Sequence, residues 1–146
     1  MPQFVIETLI DAPAEVCFDL MRDPRLHSGS KVTIEGNREI SLGQRVMFES
    51  KVVGMLHRLT VEVVECHRPR IFVDELVQGA FTSFRHVHEL EENNDTTKLV
   101  DTMVWESPWG IAGKLADRMI ERRLRAIVHD RNDRLKEIAK SLANND

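Results

Sequence analysis

The chain has 146 residues, 42% of them hydrophobic and 30% charged, with a formal net charge of -4. That length fits one domain around one core, spanning residues 1–146, and the balance is ordinary for a globular protein in water. An acidic total argues against a nucleic-acid surface, and no apolar run approaches the roughly 20 residues that cross a bilayer, which argues against stable membrane insertion.

In chain order, Phe4 to Ile10 is apolar and β-branched and stops at Asp11-Ala12-Pro13, which reads as a strand and a turn. Ala14 to Met21 carries Val16, Cys17, Leu20 and Met21 at helical spacing, with Pro13 fitting the first turn. Asp23-Pro24 ends that helix, and Pro24 to Leu26 reads as the start of a second short one. Six strands follow: Val32 to Glu35, Arg45 to Val53, Met55 to Cys66, Ile71 to Val77, Phe81 to Leu90 and Lys98 to Trp105. The last two flank a polar linker, Glu91 to Thr97, and so predict a hairpin. Ser107-Pro108-Trp109-Gly110 closes the sheet. Ile111 to Leu142 is then one helical pattern, with Leu124, Ile127, Val128, Leu135, Ile138 and Leu142 near one stripe. The fold class is α+β: a curved antiparallel sheet whose inner face is covered by a long C-terminal helix, with two short helices after the first strand.

Cys17 and Cys66 fit no CxxC or zinc spacing. Two free thiols suit a reducing cytoplasm. The N-terminal MPQFVIETLIDAP has no basic segment and includes Glu7 and Asp11, so it does not read as a signal peptide.

The chemistry concentrates in FRHVHEL. Strand alternation puts Phe84, His86, His88 and Leu90 on one face, opposite Arg85, Val87 and Glu89. The same alternation gives Leu99, Asp101, Met103 and Trp105 a shared face, and Asp74 lies between Phe72 and Leu76 on another. A hairpin then brings Asp101 near His86 or His88, with Asp74 joining from the preceding strand. Three readings of this polar island compete: a satisfied buried network lining a cavity, a polar contact or acid-base site for an apolar ligand, and a metal site. A one-residue slip in register would turn both histidines to solvent.

The element order, FRHVHEL, DTMVWESPWG and the long helix ending in VHDRNDRLKEIA resemble the START/Bet v 1-like (SRPBCC) superfamily over essentially the whole chain. Within it the resemblance is to the bacterial polyketide cyclase/dehydrase and lipid-transport group. It implies a helix-grip fold enclosing a cavity for a hydrophobic small molecule, and a family that is mostly metal-free, so neither a metal nor another cofactor is expected. Absence of tyrosine removes a phenolic acid that some such cyclases use.

The function expected is therefore binding, with transport as its extension, of a lipid, quinone or polyketide-like aromatic. Asp74, His86, His88 and Asp101 would be its polar contacts, and Phe48, Phe72, Phe84, Met103, Trp105 and Trp109 its apolar ones. Phe81, Leu115, Met119 and Ile127 are further pocket candidates. The alternative is a cyclase, dehydratase or hydrolase with His86 or His88 as general base and Asp101 orienting it. A third reading is a partner-binding module with an incidental pocket. The helix arginines 118, 122, 123, 125, 131 and 134 are interleaved with acids, including the i,i+4 pairs Glu121–Arg125 and Asp130–Arg134, and read as a solvated face. The chain is expected to act as a monomer or homodimer.

Overall fold

The computed structural model describes residues 1–23, 26, 31–34, 40–52, 54–107 and 110–144. The elements run β1 (Gln3–Ile10), α1 (Ala14–Met21), β2 (Lys31–Ile34), β3 (Arg45–Val52), β4 (Met55–His67), β5 (Ile71–Gln78), β6 (Ser83–Asn93), β7 (Thr96–Glu106) and α2 (Gly110–Asn144). The second short helix expected at Pro24 to Leu26 falls outside the described residues except for Leu26, which is buried. The strands form one seven-stranded antiparallel sheet in the order β1-β7-β6-β5-β4-β3-β2.

Alternation dictates which face is covered. Phe4, Ile6, Thr8 and Ile10 of β1 are buried and their neighbours exposed. β7 buries Leu99, Asp101, Met103 and Trp105. The 35 residues of α2, about 52 Å at 1.5 Å per residue, lay Ile120, Leu124, Val128, Leu135 and Ala139 into the same core. Farther along the stripe, Ile138 and Leu142 are exposed. Trp105 is fully buried, edge-on to Phe4 at 5.8 Å between ring centroids. Its indole N–H donates to Asp117 Oδ1 on α2 at 3.4 Å, which ties sheet to helix. α1 is anchored at its start, where the Ala14 amide donates to Glu92 Oε1 at 2.6 Å. A carboxylate there answers both an unpaired amide and the positive end of the helix dipole. No helix among the described residues is long and apolar enough to cross a membrane.

The β6–β7 connection is tighter than its polar composition suggests. β6 runs on to Asn93 and β7 begins at Thr96, leaving Asn94 and Asp95 at the turn with φ of 52° and 62°. Two successive left-handed residues make the two-residue turn whose twist suits a hairpin, and Asn and Asp tolerate that region better than most side chains. Asn94→Ala is expected to cost about 1 kcal/mol, read as a lowered urea midpoint with an unchanged slope.

Candidate functional site: a buried polar network behind an apolar cavity

The register builds the site. His88 lies opposite Asp101 and His86 opposite Met103 across β6–β7, while Asp74 of β5 faces His86. Asp101 is 0% exposed and is the hub. Its Oδ1 accepts from His86 Nε2 at 2.8 Å, His88 Nδ1 at 2.9 Å and Arg131 Nη2 at 2.6 Å. Its Oδ2 accepts from Asn132 Nδ2 at 3.0 Å. His88 Nε2 reaches Asp74 Oδ2 at 3.2 Å, so this ring is strung between two carboxylates. Asn132 also donates to Thr8 Oγ1 at 3.0 Å, and its own Oδ1 accepts from Arg131 Nε at 3.0 Å and Nη2 at 2.7 Å. Among the described residues no buried side-chain nitrogen or oxygen lacks a partner, as a stable buried network requires.

The protonation states follow from the neighbours. Burial pushes the Asp101 carboxyl up, but the Arg131 charge and the two histidine hydrogen bonds outweigh it and hold it well below the usual carboxylate range. Burial also opposes charge on His88. Its bonds to Asp101 and Asp74 prevail and raise it above the ordinary imidazole value. His86 goes the other way: burial, reinforced by the charge of His88 stacked 3.7 Å away, lowers it to about 4 against the pull of Asp101. The pair therefore divides into a cationic His88 and a neutral His86. With Nε2 donating to Asp101, neutral His86 keeps a lone pair on Nδ1.

A cavity of about 100 Å³ lies in front of this network. Asp74, His86 and Arg131 form its polar wall; Phe48, Phe84, Met103 and Ile127 are among its apolar lining. These include five of the expected contacts: Phe48, Asp74, Phe84, His86 and Met103. The other expected contacts sit elsewhere. His88 and Asp101 lie behind the wall. Phe72 packs on His88 at 5.1 Å and on Phe18 at 6.4 Å, and Trp105 belongs to the core. Trp109 lies outside the described residues. Leu115 and Met119 are 81% and 54% exposed and are not among the residues lining this cavity. Phe81 packs beside Phe84 at 5.5 Å without joining the lining. Leu59, Val61, Leu124 and Val128 complete the lining.

Arg131 corrects the reading of the helix arginines as a solvated face. It is 4% exposed and carries the network's fixed positive charge. Two salt bridges of the solvated face do form, Glu121–Arg125 at 3.2 Å and Asp130–Arg134 at 4.0 Å.

Asp74, His86 and His88 each bring one potential ligand atom within 4.8 Å of the others, the arrangement a metal would need. The surroundings do not suit a cation. Both His88 nitrogens face carboxylates, and Arg131 Nη1 stands 3.2 Å from His88 Nδ1. A divalent ion there would have to displace these bonds and sit close to a fixed guanidinium.

A curved antiparallel sheet closed by a long C-terminal helix is the helix-grip fold of START and Bet v 1-like proteins, and comparison with solved structures agrees. A protein from Thermus thermophilus superposes with a TM-score of 0.81 at 16% identity, covering 97% of this chain and 99% of that one. The Zhui aromatase/cyclase from Streptomyces sp. R1128 gives 0.79 at 14% identity, covering 95% and 93%. A START superfamily protein from Mycobacterium smegmatis gives 0.74 at 15%, covering 93% and 98%. At such identities the likeness establishes the fold. No protein-family model and no curated protein sequence matches the chain.

Proposed function

We propose that this protein binds, and in that sense can carry, a hydrophobic small molecule of the lipid, quinone or polyketide-like aromatic kind in the cavity between sheet and α2. The observation that carries this reading is the cavity's make-up: eight of its eleven lining residues are apolar, and the three polar ones stand together on one wall. Apolar walls contribute affinity at about 25 cal/mol per Å² of buried surface, and a few convergent polar groups orient one end. Folds of this type in an aromatase/cyclase and a START superfamily protein support the choice of ligand class. The same reading treats residues 1–146 as one domain acting in the cytoplasm, alone or as a homodimer, on a small molecule rather than a nucleic acid.

The enzyme alternative, a cyclase, dehydratase or hydrolase, draws on the His86–Asp101 pair, since an orienting carboxylate behind a cavity-facing imidazole is the geometry of a general base. Its weakness is basicity. With its pKa lowered to about 4, His86 is a poor proton acceptor near pH 7, where a base is best matched to the operating pH.

Native mass spectrometry of freshly purified protein against its denatured mass is the test. The expected result is an adduct of an apolar organic molecule. Val61→Phe should abolish it by filling the cavity, at a folding cost of about 1–3 kcal/mol for overpacking. A metal-sized adduct, or no adduct together with no uptake of any added apolar probe, overturns the reading.

A further inference from the structure

The cavity's polar wall is mainly a wall of acceptors. Asp74 is 8% exposed and lines the cavity. Its Oδ2 takes the His88 hydrogen bond, and its Oδ1 has no hydrogen-bond partner among the described residues. His86, also 8% exposed and on the wall, donates through Nε2 to Asp101, which leaves the unprotonated Nδ1 as its second polar atom. Arg131 is the only cation on this wall among the described residues, and it is largely spent. Nε and both Nη2 hydrogens go to Asn132 and Asp101, and Nη1 lies against His88. Both Nη1 hydrogens remain, because His88 Nδ1 donates to Asp101 and cannot also accept.

The geometry points to a ligand whose buried end is a neutral hydroxyl, a phenol, enol or alcohol, that donates its proton in a hydrogen bond to Asp74 Oδ1. This rests on the ligand-binding reading above and narrows it. A carboxylate head, as on a free fatty acid, would set its charge against the Asp74 carboxylate and the His86 lone pair, with only the Nη1 end of a guanidinium already paired to Asp101 to compensate. Asp74 Oδ1 is open to the cavity, since among the described residues no buried side-chain oxygen lacks a partner; an ether or ester head would cover it without supplying a donor, and burying an unpaired polar group is the costly case. The cavity's size sets the other limit. About 100 Å³ is less than the roughly 150 Å³ of an apolar cavity that takes benzene, so the cavity encloses at most one small ring, with part of it left at the mouth. The hydroxyl therefore belongs on the ring or directly beside it.

Three single-ring probes of matched shape decide it: p-cresol, 4-methylanisole and p-toluate, titrated into the full chain at pH 7 and followed by NMR of the methionine methyls, among which Met103 lines the cavity. The expected order is p-cresol tightest, 4-methylanisole weaker by about tenfold, the worth of one hydrogen bond to a charged group after desolvation, and p-toluate weakest. Asp74→Asn, checked for folding by circular dichroism, should shrink the gap between cresol and anisole to about threefold or less. Equal affinity of the wild type for cresol and anisole overturns the hydroxyl assignment and leaves the hydrophobic cavity standing. Tightest binding of p-toluate overturns it in favour of Arg131 as the reader of an anion. Binding of none of the three overturns this inference, and failure of larger apolar probes as well overturns the ligand-binding reading beneath it.

Discussion

Asp101→Asn is expected to lower the unfolding free energy by about 3–5 kcal/mol, the cost of removing one partner from a buried ion pair. The side chain keeps its shape but loses its charge, and four donors converge on the two oxygens being altered. An amide can accept at one position only and turns a second donor toward Asn132 or Arg131. Arg131 would stay buried with no carboxylate against it, and His88 would retain only Asp74. Against a total stability of 5–15 kcal/mol for an ordinary domain, that loss is large enough to move the urea midpoint by more than 1 M at slopes of about 1–3 kcal/mol per M. A loss under about 1 kcal/mol would show that the network is incidental to the fold. Pairing Asp101→Asn with Arg131→Met separates the two contributions: the second change should recover part of the loss, because it removes the orphaned cation.

The same residues show how far sequence reasoning reached. Period-two alternation was enough to put His86, His88, Asp74 and Asp101 on the covered face, because the opposite face of FRHVHEL carries Arg85 and Glu89, both exposed in the structure. Register then followed from the hairpin, and His88 does stand opposite Asp101. Arg131 and Asn132 were missed as members of the network, although a signal existed. Arg131 is three residues after Val128, four before Leu135 and seven after Leu124, all buried, so helical periodicity places it on the apolar stripe. Its neighbourhood of exposed arginines obscured that. Asn132 sits at the complementary spacing, four after Val128 and three before Leu135. An arginine on a buried stripe implies a buried carboxylate, and Asp101 was already pointing inward.

Where the sequence misled, it did so for physical reasons. The segment from Glu91 to Thr97 looks like a linker because nothing in it is apolar. Strand pairing at a hairpin end needs backbone bonds and a turn that twists correctly, and Asn94 and Asp95 supply that turn. Leu115 and Met119 look like pocket residues by type, yet both are exposed and outside the lining of this cavity. Trp105 and Phe72 share the buried face with the island, and sharing a face does not distinguish a residue that lines a cavity from one that fills the core beside it.

The charge division within the histidine pair leads to the second large effect, an acid limb in the stability profile. His86 in the folded protein titrates at about 4, against about 6.5 in the unfolded chain. Its folded pKa is depressed, so below pH 6.5 the unfolded state binds the extra proton and stability falls as pH drops, by about 3 kcal/mol once pH 4 is passed. Asp101, held well below its ordinary value, adds to the loss from about pH 4 downward, where the unfolded carboxyl takes a proton that the folded one still refuses. His88 has the opposite sign. Its folded pKa is raised, so its contribution is complete below about pH 6.5 and is lost only as pH climbs through the folded value. The groups facing His86 are Asp101 from β7, His88 from β6, Asp74 from β5 and Arg131 from α2. Among them, His88 and Arg131 carry the positive charge that keeps a second proton off His86. Thermal melts between pH 7 and pH 4.5 should show a falling midpoint in the wild type and a much flatter one in His86→Asn, whose side chain cannot titrate. Equal slopes in the two proteins would place the acid sensitivity elsewhere. A flat wild-type profile would mean that His86 charges as easily folded as unfolded, and would overturn the charge division within the pair.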